Sequence, residues 1–163
     1  MPHPAPSARF WDRIAPRYAR AAIADQAGYE KTLQRVSGLL APTHTVLELG
    51  CGTGTTALRL APHARSLLAT DASPAMVAIA RERLHAQPTP GLTFAVADAD
   101  LATFDTAGYD RVLAFNLLHL LADLEQALAA IAHTLRPGGL FISKTPCIDE
   151  MNPLITHLAV PLM

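Results

Sequence analysis

The sequence has little charge, and it lacks a long apolar run. Charged residues make up 17% of its 163 residues and the formal net charge is −1, so no excess of positive charge is available to neutralise the phosphates of a nucleic acid. The longest apolar stretch, residues 112–121, is interrupted by Asn116 and His119 and is too short to cross a bilayer. The N-terminus also lacks the charged-then-apolar pattern of a signal peptide. We therefore expect a cytoplasmic protein with no nucleic-acid partner and no transmembrane segment.

Cysteines and metal-ligand patterns are also scarce. The two cysteines, Cys51 and Cys147, lie far apart in the chain and do not indicate a disulfide framework. Cys51 falls in a glycine-rich loop before a predicted helix, where a helix N-terminus can lower the pKa of a nucleophilic thiol. A small loop residue is nevertheless the favoured interpretation of Cys51. The histidines show no metal-ligand spacing, so no metal site is expected.

The most informative stretch is residues 46–56, in which an apolar run leads into three glycines at alternate positions. Gly50, Gly52 and Gly54 follow the apolar residues, and a helix-forming segment comes next. An apolar run is typical of a buried parallel strand, and glycine allows the backbone to approach a ligand closely. The start of a helix leaves N–H groups free to bind that ligand. The pattern predicts a strand, a turn and a helix that together hold a small molecule.

Strands and helices alternate after residue 44. We predict strands at residues 45–49, 66–70, 92–97, 109–115 and 140–144, and helices at residues 25–40, 55–64, 74–85 and 123–135. Pro16 divides the helical pattern before them into two short helices, because an interior proline removes a hydrogen bond. Such alternation predicts an α/β fold with a doubly wound, mainly parallel sheet. The strand ends then share one edge, on which lie Gly50, Asp71, Asp98 and Asn116.

The residues at this edge argue against a phosphate-bearing ligand. A dinucleotide fingerprint places its third glycine where this chain has Thr55, and a phosphate loop ending in G-K-[ST] is absent. Glu48 would repel a phosphate and attract an ammonium or sulfonium group. Asp71, 19 residues after Gly52, ends the second strand, where an acid accepts hydrogen bonds from ribose hydroxyls. Asp98 ends the third strand and could accept from the exocyclic amine of a base.

Five segments together resemble the class I S-adenosylmethionine-dependent methyltransferases, in the small-molecule branch. They occur in family order and at family spacing within residues 10–146, and they are residues 46–54 (VLELGCGTG), 69–73 (ATDAS), 96–99 (VADA), 109–113 (YDRVL) and 135–139 (LRPGG). The resemblance implies a Rossmann-like methyltransferase fold. It also implies S-adenosyl-L-methionine as the cofactor, S-adenosyl-L-homocysteine as the product, and a small molecule as the methyl acceptor.

The resemblance further implies which residues bind the cofactor. Glu48 and the backbone of the glycine loop would hold the methionine end, Asp71 the ribose, and Asp98 the adenine edge. Tyr18 would close over the cofactor, although it is equally suited to anchoring a helix, and Met76 is equally suited to core packing. The implied positions are Tyr18, Glu48, Gly50, Cys51, Gly52, Asp71, Ala72, Met76, Asp98, Ala99 and Asn116.

Methyl transfer from a sulfonium is an in-line displacement that depends mainly on positioning and the exclusion of water. A base is needed only where the acceptor must lose a proton. His119, after the fourth strand, is the candidate base, and plain packing is its other explanation. Asn116 is not followed by the proline-proline-aromatic run of many nucleic-acid amino-group methyltransferases. An arginine stripe on the first helical segment fits a solvated face best, with an anionic substrate or lipid headgroup as the alternative: Arg9, Arg13, Arg17 and Arg20.

Three segments are predicted: a helical N-terminal segment at residues 1–44, an S-adenosylmethionine-binding α/β core at residues 45–146, and the start of a substrate-side segment at residues 147–163. The family continues after strand five with a helix and two further strands, whereas only residues 147–163 follow strand five here. We therefore expect a truncated or partial chain, with completion of the sheet by a partner chain as the alternative. Strand five would be an unpaired edge through which a homodimer could form. Two other functions remain open: a cofactor-binding module without catalysis and, disfavoured by Thr55 and Glu48, a nicotinamide-dependent oxidoreductase.

Overall fold

A computed structural model describes residues 6–98 and 107–146 and contains one sheet of five strands. The strands are β1 (Thr45–Leu49), β2 (Ser66–Asp71), β3 (Leu92–Val96), β4 (Tyr109–Phe115) and β5 (Leu135–Lys144). Their order is β3-β2-β1-β4-β5, and every neighbouring pair is parallel. The predicted doubly wound α/β fold is therefore confirmed. The expectation that two further strands are missing concerns residues 147–163, which lie outside the described residues.

Five helices accompany these strands in the described part of the chain. They are α1 (Pro6–Arg20), α2 (Gln26–Ser37), α3 (Thr55–Leu60), α4 (Pro74–Ala86) and α5 (Leu124–Thr134). The predicted helix starts at Ser73 and Asp123 are confirmed, because the Ser73 hydroxyl accepts from the Met76 N–H and the Asp123 carboxylate from the Gln126 N–H. None of the described helices combines the length and apolar character needed to cross a bilayer.

Apolar side chains cover both faces of the sheet. Val46 packs on one face in a cluster that includes Leu58 of α3. Leu47 and Leu49 pack on the other face with Ile131 of α5. Successive residues of β1 belong to opposite faces because side chains alternate along a strand. Since helices cover both faces, β1 is apolar along most of its length. The winding direction reverses between β1 and β4, and ligands of open α/β sheets bind at such a point.

The N-terminal segment differs from the prediction. Helix α1 runs through Pro16 as one helix of 15 residues, so the prediction of two short helices is wrong. Contacts on both sides of Pro16 fix α1 to α4. The Asp12 carboxylate accepts from the Ser73 hydroxyl at 2.6 Å, and the Ala19 carbonyl accepts from Arg83 at 2.9 Å. These tertiary contacts keep helical a segment that local propensity alone would break.

Strand β5 begins at Leu135 rather than at the predicted residue 140. Leu135 pairs with Tyr109 and Leu140 pairs with Arg111, so the intervening segment bulges out of the ladder. Gly138 lies in this bulge with φ of +79°, a left-handed conformation that glycine adopts without strain. The segment predicted to stop a helix is thus the irregular beginning of the strand.

Gly54, which precedes α3, offers a test of packing beside the glycine loop. Its φ is +77°, and a Cβ there would lie 2.6 Å from Phe94 Cζ. Gly54→Ala would therefore strain the left-handed backbone and would also bring the new Cβ into steric overlap with Phe94. We expect it to lower the free energy of unfolding by about 2–5 kcal/mol in urea denaturation. Gly138→Ala is the matched control, because φ is +79° there and no described atom lies within 4 Å of the new Cβ. Its cost should be about 1–2 kcal/mol, and equal losses in the two variants would contradict the packing at Gly54.

Candidate cofactor site

A cleft opens at the carboxyl ends of the strands. Its walls come from the glycine loop after β1, the segments that follow β2, β3 and β4, and helix α1. Ten of the eleven positions predicted to bind the cofactor line this cleft: Tyr18, Glu48, Gly50, Cys51, Gly52, Asp71, Ala72, Met76, Asp98 and Asn116. The eleventh, Ala99, lies outside the described residues. The sheet and helix α1 together therefore bring into one cleft residues that are up to 98 positions apart in the chain, Tyr18 and Asn116.

The glycine loop presents backbone to the cleft. The Cys51 N–H donates to the Thr70 carbonyl at 2.8 Å, so hydrogen bonding to β2 continues past the end of β1 at Leu49. Gly52 then turns the chain with φ of +53°. Among the described residues, a Cβ at Gly52 would meet only Tyr18 Cε1, at 3.8 Å. The absence of a side chain at Gly52 therefore leaves room for a ligand between the loop and Tyr18.

Glu48 is the most perturbed carboxyl group in the cleft. It lies on β1 with 2% of its surface exposed, and its Oε2 has no hydrogen-bond partner among the described residues. Burial, and then the charge of Asp71, raises the pKa of Glu48 to about 8. The carboxyl group is therefore mostly protonated near neutral pH, and a cation placed beside it would favour the ionised form.

Asp71 holds the glycine loop from the cleft side. Its Oδ2 accepts from the Gly52 N–H at 2.8 Å, and its Oδ1 accepts from the Ser73 N–H at 2.9 Å. Burial raises the pKa of Asp71 above its ordinary value, although these two hydrogen bonds oppose the shift. Each oxygen has a second lone pair, so Asp71 can hold the loop and still accept hydrogen bonds from a ligand.

Residues at the ends of β3 and β4 complete the edge. Asp98 adds a third acid to the lining, one residue after Ala97, whose N–H donates to the Asp71 carbonyl at 3.1 Å. Asn116 has φ of +54°, an uncommon conformation for a residue other than glycine. Its N–H donates to the Lys144 carbonyl at 2.7 Å, so the backbone group that it can offer a ligand is its carbonyl.

Met76 and Tyr18 both line the cleft. Met76 is buried, with 2% of its surface exposed, and also lines the cleft, so it serves both as core and as wall. Tyr18 stays half exposed on α1. Burial, followed by the charge of Asp71, raises the pKa of its phenol. The Tyr18 hydroxyl is therefore neutral at physiological pH and can both donate and accept a hydrogen bond.

Of the two side chains considered as reactive groups, Cys51 lines the cleft and His119 does not. Burial, followed by the charges of Glu48 and Asp71, raises the pKa of the Cys51 thiol far above its usual range. This shift disfavours the nucleophilic interpretation, because a thiolate is the reactive form. His119 lies in the short turn Leu118–Leu120 and is not among the residues that line the cleft. Burial lowers its pKa, and its assignment as a general base stays a prediction.

Three residues that shape the site were not predicted from the sequence. Trp11 lines the cleft, and its ring packs edge-on against Tyr18 with 6.1 Å between ring centroids. Asp12 accepts from the backbone N–H of Ala75 at 3.0 Å in addition to Ser73, and Arg83 binds the other end of α1. Helical spacing can place these residues on a face. It does not reveal which helix that face will contact.

A match to a known family identifies the class of protein to which this chain belongs. The family model described as a methyltransferase domain matches residues 46–139. This range covers more than half of the chain and includes the glycine loop, Asp71, Asp98 and Asn116. The chain belongs to the methyltransferase domain family. The resemblance to class I S-adenosylmethionine-dependent methyltransferases is thereby confirmed.

Similar proteins agree with this assignment. The ubiquinone/menaquinone biosynthesis C-methyltransferase UbiE of Acidiphilium cryptum is 39% identical over 124 residues, which cover 74% of this chain and 47% of that protein. A non-reducing polyketide synthase of Aspergillus terreus is 38% identical over 120 residues, 68% of this chain and 4% of that protein. A solved S-adenosylmethionine dependent methyltransferase from Mesorhizobium loti is 28% identical with a TM-score of 0.64, and the match covers 74% of this chain and 54% of that one. This methyltransferase domain spans less than half the length of the two curated relatives.

Glu48 makes the stability of the methyltransferase domain depend on pH. The carboxyl group titrates near 4.5 in the unfolded chain and near 8 in the folded chain, so the folded state binds more protons between these values. The free energy of unfolding therefore falls as pH rises through this window. Glu48→Gln should abolish this fall, because a glutamine side chain does not ionise. In the absence of ligand, we expect similar melting temperatures at about pH 5 and a more stable variant at about pH 8, by about 2–4 °C per kcal/mol gained. A difference that stays constant over this range would contradict the burial of an ionisable carboxyl group.

Proposed function

We propose that this chain binds S-adenosylmethionine in the cleft and catalyses transfer of the methyl group to a small-molecule acceptor. The observation that carries the proposal is the buried Oε2 of Glu48, which lacks a partner among the described residues. A cationic group beside it offsets the cost of burying that oxygen unpaired. A pyrophosphate would instead lie beside the acids Asp71 and Asp98, and it would not stabilise the ionised form of Glu48. An ammonium and a sulfonium therefore fit this cleft better than a nicotinamide dinucleotide.

The other lining residues fit the nucleoside part of the same molecule. Asp71 retains lone pairs for two ribose hydroxyls while it holds Gly52 and Ser73. Asp98 lies on the same edge, where it would accept a hydrogen bond from the exocyclic amine of the adenine. Met76 supplies an apolar wall against which the adenine would pack. Each functional group of the cofactor thus has a chemically suited residue within one cleft.

Catalysis in this proposal consists of positioning and the exclusion of water. Bound S-adenosylmethionine supplies a methyl group on a positively charged sulfur, which leaves as a neutral thioether. The chain contributes an apolar wall from the segment after β4, formed by Leu117, Leu120 and Leu121, with Trp11 of α1 also lining the cleft. These side chains exclude water and limit the approach of the acceptor. A base is required only for an acceptor that must lose a proton.

The same wall favours an acceptor with an apolar part. Quinone biosynthesis in the name of one relative and polyketide synthesis in that of another agree with such an acceptor. The arginine stripe of α1 gives less support to a lipid headgroup, because its members are exposed and are not among the lining residues: Arg9, Arg13, Arg17 and Arg20. We therefore rank an uncharged acceptor above an anionic headgroup.

Two further parts of the proposal depend on the sequence. The outer edge of β5, with which no described strand pairs, is the surface through which a homodimer could form. Sedimentation of the purified chain distinguishes a dimer from a monomer. A cytoplasmic location is expected from the composition.

Two binding titrations and one assay test the proposal. Isothermal calorimetry should show saturable binding of S-adenosylhomocysteine and no binding of NADH. A radiolabelled methyl-transfer assay should then give a methylated product with a phenol or quinol acceptor. Phosphoethanolamine is assayed alongside as the phosphate-bearing acceptor that represents a lipid headgroup. Binding of NADH alone would overturn the proposal, whereas cofactor binding without transfer to any acceptor would favour a binding module without catalysis.

Asp71→Asn tests the ribose contact. The amide replaces one of the two accepting oxygens with a donor, so either the Gly52 N–H or the Ser73 N–H loses its acceptor. We expect affinity for S-adenosylhomocysteine to fall by about 1.5–3 kcal/mol, or about 10–150-fold in Kd. Asp110→Asn is the matched control, because Asp110 accepts from the Thr45 N–H at 2.7 Å and pairs with Arg136 at 2.9 Å near the beginnings of the strands. It should lower the melting temperature and leave affinity unchanged. Unchanged affinity in Asp71→Asn would show that Asp71 does not contact the ribose.

A further inference from the structure

One side chain outside the cleft joins the glycine loop to helix α1. Arg83 lies on α4, and its Nη1 is within hydrogen-bond distance of the Thr53 carbonyl at 3.0 Å, Thr53 Oγ1 at 2.8 Å and Thr55 Oγ1 at 2.6 Å. Its Nη2 donates to the Ala19 carbonyl at 2.9 Å. A single guanidinium therefore contacts the loop, the first residue of α3 and the last turn of α1.

The chemistry of arginine suits this junction. A guanidinium is planar and carries five N–H donors in a fixed arrangement, which an ammonium cannot reproduce. The Ala19 carbonyl lies in the last turn of α1, where carbonyls have no partner within their own helix. Thr53 is buried, with 4% of its surface exposed. Arg83 thus supplies hydrogen bonds that neither the loop nor α1 can make alone.

Arg83 and Asp71 hold the loop at adjacent residues. Asp71, which lines the cleft, accepts from the Gly52 N–H, and Arg83, which does not line it, binds Thr53. The bond to Ala19 also places Tyr18, the preceding residue, whose Cε1 lies 3.8 Å from where a Cβ on Gly52 would be. The space between Tyr18 and the loop is therefore set by contacts that converge on Arg83.

We infer that Arg83 is a positioning residue that fixes α1 relative to the glycine loop and so controls how tightly the cleft encloses the cofactor. This role rests on the proposed function, because it presumes a cofactor between Tyr18 and the loop. The bonds from Ser73 and Ala75 to Asp12 hold the preceding part of α1 on the start of α4. Loss of Arg83 should therefore loosen the last turn of α1 while the helix stays attached.

Arg83→Gln is the test variant, and Arg81→Gln is its matched control. Arg81 lies on the same helix and donates through Nε and Nη2 to the Phe94 carbonyl at 3.2 Å and 2.8 Å. It therefore also bonds to a backbone carbonyl, but on β3 rather than on the loop or α1. We expect Arg83→Gln to raise the dissociation rate of S-adenosylhomocysteine about tenfold, the effect of about 1.4 kcal/mol. Arg81→Gln should leave that rate unchanged, and Arg83→Lys should give an intermediate rate.

A second readout does not require a ligand. The chain has three tyrosines, so fluorotyrosine labelling gives three ¹⁹F NMR signals, which Tyr18→Phe assigns in part. In the unliganded protein, Arg83→Gln should shift or broaden the Tyr18 signal and leave that of Tyr109 on β4 unchanged. Arg81→Gln should leave both signals unchanged.

The outcomes separate this inference from the proposed function. Equal effects of Arg83→Gln and Arg81→Gln on the dissociation rate and on the Tyr18 signal would reduce Arg83 to a structural residue and overturn the inference. If the wild-type chain does not bind S-adenosylhomocysteine, the proposed function fails, and the ¹⁹F comparison still tests the coupling of Arg83 to α1. If Arg83→Gln does not fold, Thr55→Ala removes one acceptor instead. It should shift the Tyr18 signal in the same direction, and no shift would overturn the inference.

Discussion

The structure depends on one constraint, which is that all five strands are parallel and end at the same edge. The acids that follow or end these strands are therefore brought together although they are distant in the chain. Asp71 is close enough to Glu48 for its charge to raise the pKa of Glu48, in addition to the larger effect of burial. We propose that an edge of this composition disfavours phosphates and favours cations, and that this property selects the ligand.

Asp71 and Glu48, two of the acids at this edge, differ in their hydrogen bonds. Asp71 receives two backbone N–H bonds, which join the glycine loop to the turn before α4. Glu48 has an oxygen with no partner among the described residues, and such a group costs free energy in the unliganded protein. The fold keeps this unfavourable group beside the loop, which is the pattern expected where stability is reduced for function. Tyr18 and Trp11 then enclose the same space from α1.

Much of this arrangement could be predicted from local sequence. The apolar runs gave the positions of β1 and β4, and the caps at Ser73 and Asp123 gave the starts of two helices. Because parallel strands end together, Gly50, Asp71, Asp98 and Asn116 could be assigned to one edge without coordinates. Tyr18 and Met76 lie on helices, and their positions were implied only by the resemblance to the family. The remaining features depend on contacts between distant segments. Local propensity breaks a helix at Pro16, but α4 holds the residues on both sides of it, and no local pattern identifies Arg83 as the residue that joins α1 to the loop.

The most direct measurement is the number of protons released when S-adenosylhomocysteine binds, obtained by calorimetry at about pH 7 in buffers of different ionisation enthalpy. Glu48 has a pKa of about 8, so it is mostly protonated before binding and must lose that proton when an ammonium group lies beside it. We predict a release that approaches one proton per ligand for the wild-type chain and no release for Glu48→Gln. Tight binding without proton release, or equal release by the two proteins, would contradict the central role of Glu48.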